Sequence, residues 1–404
     1  MATETPIPGA AGGGEGEQPQ QTQASKQRVR SLEDTHIDEL LHLVVKQEAS
    51  DLHIAVGLPP VLRVHGKLLQ APYEPYTPQT SQRMIYDILT DEQIQKFEST
   101  YELDFSYSLG RTSRFRVNVF RDKGTVASAF RRIPTAIPTL ADLGLPPVLE
   151  KLTHLTRGLI LVTGPTGSGK STTLYATLNL LNDATRNLVT VEDPVEYRLA
   201  NVNQVQTNPK AGLTFATALR SILRQDPDVV LVGEIRDRET GVIAIEAALT
   251  GHLVLSTLHT NDAPSTPLRL IEMGIEPFLV TSALDCVLAQ RLARRLCERC
   301  KEPYGPSEED LVLSSWDLTR EPPTGMHRAV GCAHCGGTGY RGRTAIHEVM
   351  LLSEEIDRLI VSRASSDDIR RVALEQGMVP LRQDGLDKVA RGNTTLEEVS
   401  RVVA

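Results

Sequence analysis

The chain has 404 residues, more than one ordinary domain of about 150 residues holds, so we expect two or three domains. Its 40% hydrophobic and 23% charged residues are typical of a globular chain that buries a core. A net charge of −8 argues against a nucleic-acid partner, because such proteins usually carry a basic excess. No apolar run approaches the roughly 20 residues of a membrane-spanning helix, and no secretory leader pattern begins the chain. We therefore expect a cytoplasmic, multi-domain protein.

The first part of the chain divides into a tail and a small α/β domain. Residues 1–30 are rich in Gly, Gln and Pro and nearly lack large apolar side chains, so we predict a disordered tail. Residues 31–139 carry a helix near Leu40, strands at DLHIAV and VLRVHG, and a second helix from about Thr80 to Thr100. Two more strands, RFRVNVF and TVASAFRRI, flank the turn RDKG, and a proline-punctuated linker with a short helix follows.

The pattern changes in the second predicted domain, residues 140–404. Its apolar runs GLILVTG, NLVTVED, DVVLVGE and HLVLSTLH do not alternate with polar residues, and helical stretches separate them. Non-alternating apolar runs are typical of strands that are buried on both faces. We therefore predict a parallel sheet that is covered by helices, followed by C-terminal helices at about 353–404.

A phosphate-binding loop lies between the strand LILVT and the helix STTLYATLNLLN. The segment matches G-x-x-x-x-G-K-[ST] at every fixed position. Its residues are Gly164, Pro165, Thr166, Gly167, Ser168, Gly169, Lys170, Ser171 and Thr172. Glycines let backbone N–H groups surround phosphate oxygens, Lys170 would reach the β- and γ-phosphates, and Ser171 would bind Mg²⁺. The alternative is a glycine-rich turn without a ligand, but the strand–loop–helix context favours ATP binding.

Three later strands end in residues suited to hydrolysis. Glu192, Glu234 and His259 each follow or end an apolar run. Because the carboxyl ends of parallel strands meet at one edge of a sheet, we expect them to face the phosphate loop. A carboxylate that orients water and groups that sense the γ-phosphate are what hydrolysis needs. Taken singly, each acid could instead be a strand-end turn or a helix cap.

Four cysteines form two C-x₂-C pairs, with 31 residues between the pairs. The residues are Cys297, Cys300, Cys332 and Cys335. Two close thiolate pairs suit tetrahedral zinc, so we predict a structural zinc knuckle inserted at about 291–345. Four reduced thiols without metal and a redox C-x-x-C role are the alternatives. A fifth cysteine, Cys286, is expected to be a small buried apolar residue.

Together, GPTGSGKSTT, TVEDPVEY, LRSILRQDPDVVLVGEIRDRET and GHLVLSTLHTNDA resemble the four boxes of the secretion-motor ATPases. This superfamily includes type II secretion, type IV pilus assembly and type IV pilus retraction ATPases. The resemblance covers about residues 31–404 and implies a small PAS-like α/β domain followed by a RecA-like P-loop NTPase domain. It implies that Glu192 activates water, that Glu234 is the Walker B glutamate and that His259 lies near the γ-phosphate. The usual Walker B aspartate is replaced by Gly233, a feature that the family shares.

Arginines of the first domain are a second candidate for phosphate contact. Arg114, Arg116, Arg131 and Arg132 lie on two adjacent predicted strands. Their spacing alone also fits a solvated basic edge with ordinary ion pairs. The resemblance implies that the first domain supplies arginines to the nucleotide, and we expect Arg116 and Arg131 to be those residues.

The resemblance also implies a homo-hexamer at the inner face of the membrane, where it moves pilins or pseudopilins through a platform protein. The first domain is most similar to retraction ATPases, whereas the cysteine knuckle and C-terminal helices are most similar to assembly and type II secretion ATPases. We favour assembly or secretion, because a knuckle requires four cysteines and two spacings to arise together. Retraction and conjugation or type IV secretion are the alternatives within the superfamily. A non-hydrolysing scaffold and a DNA translocase are alternatives from other classes.

Overall fold

The computed structural model describes residues 29–64, 66–110, 113–133, 137–313, 316 and 325–403. Residues 1–28 of the predicted tail lie outside this part. Arg30, which was also assigned to the tail, is instead held by the first domain: its amide donates to the carbonyl of Pro72 at 3.0 Å, and it forms a β-bridge with Tyr73.

Within the described residues, the N-terminal unit is built on a six-stranded antiparallel sheet in the order β3-β2-β1-β6-β5-β4. Its strands are β1 Asp51–Ile54, β2 Val61–Val64, β3 Lys67–Gln70, β4 Glu102–Leu109, β5 Ser113–Asp122 and β6 Thr125–Ile133. Its helices are α1 Ile37–Lys46, α2 Pro78–Tyr86 and α3 Asp91–Thr100. Apolar residues from the sheet and the helices form one core, in which Phe115 and Phe130 are fully buried.

The single helix predicted from about Thr80 to Thr100 is two helices in the structure. Helix α2 ends at Tyr86, and Thr90 caps a new helix by accepting from the amide of Gln93 at 3.3 Å. The side chain of Gln93 accepts from the Thr90 amide in return, which completes a capping box. The prediction was wrong because the capping residues lie inside a continuous amphipathic pattern.

The C-terminal unit is built on a seven-stranded sheet in the order β15-β12-β7-β11-β10-β8-β9. All neighbours in it are parallel except β15, which pairs with β12 antiparallel. Its strands are β7 Gly158–Thr163, β8 Leu188–Glu192, β9 Val202–Gln206, β10 Val229–Val232, β11 Leu253–Leu258, β12 Leu284–Leu296 and β15 Tyr340–Leu351. The ribbon β13 Glu302–Pro303 and β14 His327–Arg328 lies between β12 and β15 in the chain.

Helices cover both faces of this sheet. They are α4 Val148–Leu152, α5 Lys170–Leu181, α6 Phe215–Ile222, α7 Arg238–Leu249, α8 Ser265–Glu272, α9 Pro277–Ala283, α10 Glu308–Leu313, α11 Glu354–Val361, α12 Ser366–Glu375, α13 Leu381–Ala390 and α14 Leu396–Val402. Along β7, Leu159 and Leu161 pack with α6, α7 and the C-terminal helices, whereas Ile160 and Val162 pack with α4 and α5. Burial on both faces explains the non-alternating apolar runs. The predicted fold class, an α/β unit followed by a P-loop ATPase fold with a cysteine knuckle and C-terminal helices, is confirmed.

The knuckle occupies the interval between β12 and β15. It begins at Cys297 and ends before Tyr340, inside the predicted interval 291–345, because both strands extend further than expected. Leu296 and Tyr340 are register partners, so the knuckle leaves and re-enters the sheet at one place. Cys286 is fully buried in β12, as predicted.

The N-terminal unit contacts the knuckle side of the C-terminal unit. The ammonium of Lys67, at the start of β3, donates to the carbonyl oxygen of Gly336 at 2.5 Å. Glu48 accepts from the guanidinium of Arg341 at 2.6 Å. Both contacts are polar and exposed, so each adds little to the stability of the chain by itself. None of the described helices has the length and apolar character needed to cross a membrane.

A buried carboxylate anchors the last helix, α14, to β12. Glu398 is 1% exposed and accepts from the amide of Arg294 at 2.9 Å and from the guanidinium groups of Arg294 at 2.6 Å and Arg401 at 2.7 Å. Burial raises the pKa of Glu398, but these hydrogen bonds outweigh burial and lower the pKa to about 2. A lowered pKa contributes stability that is present above the unfolded-state pKa and is lost as the pH falls through the folded-state pKa.

We expect Glu398→Gln to lower the free energy of unfolding at pH 7 by about 3 kcal/mol, since it leaves two arginines without their buried partner. The cost should shrink between about pH 4.5 and pH 2, where this carboxyl group is protonated in the unfolded chain and still ionised in the folded chain. Urea unfolding of the two proteins across this pH range measures both effects. Glu397→Gln, at an exposed position beside it, is the matched control. Equal unfolding midpoints of the two variants at pH 7 would contradict the anchoring role.

Candidate nucleotide-hydrolysis site

The phosphate loop connects β7 to α5 and has a backbone that requires glycine. Gly164, Gly167 and Gly169 have φ values of 140°, 82° and 92°. A Cβ on Gly164 would lie 2.5 Å from the carbonyl oxygen of Gln290, so a larger residue would clash with backbone. At Gly167 the space is open, and the positive φ alone favours glycine. One side of the loop therefore packs closely against β12, and the other side lines a cavity.

Lys170 and Ser171 begin α5 at the mouth of this loop. The ammonium of Lys170 donates to the carbonyl oxygens of Gly164 at 2.8 Å and Pro165 at 3.1 Å. Burial and the nearby Arg291 lower the pKa of Lys170, and Glu234 opposes them. The helix N-terminus, the loop amides and one ammonium group form a donor set that suits a polyphosphate. The Ser171 hydroxyl, one residue further on, fits the predicted Mg²⁺ ligand.

The loop and the three strand-end residues surround one cavity of about 470 Å³. Glu192 ends β8, Glu234 follows β10, and His259 follows β11. The structure therefore brings together the residues that the strand-edge argument grouped. Six phosphate-loop residues line the cavity: Thr166, Gly167, Gly169, Lys170, Ser171 and Thr172. The other three predicted loop residues, Gly164, Pro165 and Ser168, do not line it.

Glu234 is the more accessible of the two glutamates. Its side chain is 17% exposed, it pairs with Arg236, and its Oε2 lies 3.7 Å from Nε2 of His259. Burial, Lys170 and Arg236 lower the pKa of His259, whereas Glu234 raises it. The net lowering keeps the imidazole neutral near pH 7, so it can donate or accept one hydrogen bond beside the carboxylate.

Glu192 is held in a more closed environment. It is 4% exposed, and its Oε1 accepts from the hydroxyl of Thr190 at 2.5 Å and from the side-chain Nε2 of Gln204 at 3.1 Å. Its Oε2 accepts from the hydroxyl of Tyr175 on α5. Both carboxylate oxygens therefore have protein donors. The sequence analysis assigned a role to Glu192 but did not identify these three partners.

Three of the four first-domain arginines lie on one sheet face, and none of the four lines this cavity. Arg116 and Arg131 are register partners on β5 and β6, so they share a face, and Arg114 is on the same face two residues away. Arg132 is opposite Phe115 and points to the other face. The guanidinium of Arg131 donates to Asp51 at 2.9 Å. Contact of Arg116 and Arg131 with nucleotide stays a prediction.

Two further residues of this site came from no sequence motif. Gln290 on β12 donates to the carbonyl oxygen of Ser168 at 2.7 Å and accepts from the hydroxyl of Thr173 at 2.8 Å. It thereby joins the back of the phosphate loop to α5. Arg343 on β15 lines the cavity. Neither residue belongs to a sequence motif that would identify it, because the pairing of β12 and β15 in the sheet brings both residues to the site.

The four cysteines form one cluster at the knuckle. Their sulfur atoms all lie within 4.8 Å of one another, and the Cys297–Cys332, Cys300–Cys335 and Cys332–Cys335 separations are 3.9, 3.8 and 3.8 Å. Thiolates about 2.3 Å from a tetrahedral zinc would be about 3.8 Å apart, so the cluster fits the metal. The amides of Cys332 and Gly339 donate to Sγ of Cys335, each at 3.2 Å, which suits a metal-bound thiolate.

The chain is similar in sequence to known secretion and pilus proteins. A family model described as "Type II/IV secretion system protein" matches residues 29–401. Type II secretion system protein E of Pseudomonas aeruginosa is 54% identical over 255 residues, 63% of this chain and 50% of that protein. The type IV pilus assembly ATPase PilB of Thermus thermophilus is 51% identical over 267 residues, 65% of this chain and 30% of that protein. The chain thus spans half or less of the length of these two curated relatives.

A solved structure also matches both units. The crystal structure of the pilus retraction motor PilT with bound ADP superimposes with a TM-score of 0.72 at 31% identity, over 91% of this chain and 96% of that chain. The match extends over the six-stranded sheet as well as the phosphate-loop domain, because it covers nearly all of both chains.

Proposed function

Because the chain belongs to the type II/IV secretion system protein family, we propose that it is an ATP-hydrolysing motor for type IV pilus assembly or type II secretion. The observation that carries the proposal is the single cavity that holds a complete phosphate loop, Glu234 and His259. These are the groups that phosphoryl transfer to water needs: phosphate donors, a carboxylate and a polar sensor.

In the proposed reaction, the loop amides and Lys170 bind the ATP phosphates, and Ser171 holds Mg²⁺. Mg²⁺ supplies positive charge at the phosphates when it is bound. We assign the attacking water to Glu234 and not to Glu192, for which the resemblance implies that role, since the Glu234 side chain is 17% exposed and Glu192 is 4% exposed. His259, 3.7 Å from Glu234, would contact the transferred phosphate. Glu192 completes the acidic side of the site from a buried position. Gly233, where a Walker B aspartate is usual, adds no third carboxylate.

The motor works as a homo-hexamer at the inner face of the membrane, where a platform protein receives its movement. Arg116 and Arg131 lie on a separately folded unit, so their approach to nucleotide would couple hydrolysis to rotation of that unit. The knuckle is structural: four cysteines around zinc leave no open coordination position for chemistry.

Assembly or secretion is favoured over retraction by the cysteine cluster and by the relatives. Over 91% of this chain, the type II secretion system protein E of Aeromonas hydrophila is 43% identical, and the retraction motor is 31% identical over the same share. The C-terminal segment EIDRLIVS, at 355–362, keeps only part of the pattern that the resemblance associates with retraction motors, Ala-Ile-Arg-Asn-Leu-Ile-Arg-Glu.

Deletion of the gene in its native organism separates these functions. An assembly motor predicts cells without surface filaments, and a secretion motor predicts normal filaments with exoproteins retained inside the cell. The wild-type gene should restore the lost function in either case, and the Lys170→Ala gene should not. Excess filaments with loss of twitching would instead identify a retraction motor and overturn the proposed direction.

A further inference from the structure

Tyr175, on the second turn of α5, connects the phosphate-binding helix to the segment that follows β8. Its side chain is buried, and its ring packs against Tyr197 with centroids 4.9 Å apart. Its hydroxyl oxygen accepts from the backbone amides of Glu196 at 3.1 Å and Tyr197 at 3.2 Å. The same hydroxyl donates to Oε2 of Glu192. One side chain of α5 therefore holds both ends of the segment 192–197.

The hydrogen-bonding capacity of the hydroxyl fixes the direction of each bond. A tyrosine hydroxyl has one proton and can accept two hydrogen bonds. The two backbone amides can only donate, so they occupy the accepting positions, and the proton is committed to the Glu192 carboxylate. Burial and the nearby Glu192 raise the pKa of Tyr175, so the hydroxyl keeps this proton at any pH of interest.

The segment held by Tyr175 also includes Glu196, which is a second acid of the nucleotide cavity. Glu196 lines the nucleotide cavity, and the charges of Arg116 and Arg131 act on it. Burial raises the pKa of Glu196, and the two arginines oppose that rise. The segment that Tyr175 holds therefore carries two acids of the nucleotide cavity, Glu192 and Glu196.

We propose that Tyr175 is a positioning residue that makes α5 and the segment 192–197 move as one body. In this arrangement Glu192 anchors one end of the segment, and the amides of Glu196 and Tyr197 anchor the other end. The proposal deepens the proposed ATPase function and rests on it for its effect on turnover. The hydrogen bonds themselves can be tested without any turnover.

The first test is amide hydrogen exchange of the full chain, wild type against Tyr175→Phe. Phenylalanine keeps the ring and removes the acceptor, so the amides of Glu196 and Tyr197 should exchange about tenfold faster. The amide of Gly233, which donates to the carbonyl of Val191 at 2.8 Å, is the internal control and should not change. Equal exchange of residues 196 and 197 in the two proteins would overturn the proposal, whether or not the chain hydrolyses ATP.

The second test is steady-state ATP turnover. Tyr175→Phe should lower kcat by about tenfold while KM changes by less than about twofold. Tyr175 lines the cavity, but Glu192 and the amides of Glu196 and Tyr197 already take the proton and the accepting positions of its hydroxyl. Tyr76→Phe is the matched control: Tyr76 is a buried tyrosine of the N-terminal unit whose hydroxyl contacts Sδ of Met84, and its loss should leave kcat unchanged.

A double-variant comparison shows whether Tyr175 acts through Glu192. If it does, Tyr175→Phe combined with Glu192→Gln should be no slower than the slower single variant. Losses that multiply, or a Tyr175→Phe protein with wild-type kcat, would overturn the positioning role. A wild-type chain without ATPase activity would contradict the proposed function instead, and hydrogen exchange would still decide the inference.

Discussion

Replacing Lys170 with alanine, or Glu234 with glutamine, is expected to reduce ATP turnover by about 10²–10³-fold. Lys170 would neutralise phosphate charge, so Lys170→Ala should also weaken nucleotide binding. Glu234→Gln keeps the shape of the side chain and removes the charge that orients water, so it should spare binding. Phosphate release with MgATP, measured beside the equilibrium affinity for a fluorescent nucleotide, separates the two effects.

Two exposed residues serve as matched controls for these variants. Lys151→Ala removes an exposed lysine of α4, and Glu239→Gln removes an acid of α7 whose side chain is 59% exposed. Both controls should retain wild-type turnover. Full turnover by Glu234→Gln would show that another carboxylate orients the water, and Glu192 would then be the residue to test.

Purified chain is expected to hold one zinc ion, with Zn–S distances of about 2.3 Å by X-ray absorption. Structural metal binding contributes folding energy, so Cys297→Ser should lower the melting temperature by about 10 °C. Nucleotide affinity should change by less than about twofold, because the cysteines do not line the nucleotide cavity. The measurements are metal analysis, thermal unfolding and nucleotide titration of the same preparation.

The fifth cysteine supplies the control for the metal prediction. Cys286→Ala removes a thiol that is buried in β12 and is not part of the cluster, so it should keep one zinc per chain. Absence of zinc from wild-type protein purified without chelators would contradict the zinc site and leave four reduced thiols as the correct interpretation.

The sequence was informative where a local pattern carries the physical requirement. The phosphate loop needs glycines at fixed positions, and β7, β8, β10 and β11 are apolar runs because both faces of each strand are buried. Strand ends in a parallel sheet meet at one edge, which placed Glu192, Glu234 and His259 together before any coordinates were known. The C-x₂-C pairs predicted the cysteine cluster in the same way.

Other features depend on pairing between distant segments and have no local pattern. Strand β12 has the sequence LDCVLAQRLARRL, whose Leu, Ala, Gln and Arg residues favour a helix by intrinsic propensity. It is a strand because it is inserted between β7 and β15, and tertiary pairing overrides propensity. The hydrogen-bond partners of Gln290 and Tyr175 have no local sequence pattern either. Gln290 depends on β12 lying beside the phosphate loop, and Tyr175 depends on α5 lying close to Glu192 at the end of β8.

The pairing of Leu296 with Tyr340 also bears on how well the fold tolerates insertions and deletions between β12 and β15. In the sheet, the segment between those two residues is the hairpin connection of an antiparallel pair, and the pairing of β12 with β15 holds its two ends together. Closing such a loop costs entropy that grows only with the logarithm of its length, so a long insertion and a short turn are nearly interchangeable there. The antiparallel pair β12–β15 therefore does not depend on the knuckle for its register. A metal-binding module can be gained, lost or exchanged at this point of the fold without rebuilding the ATPase core.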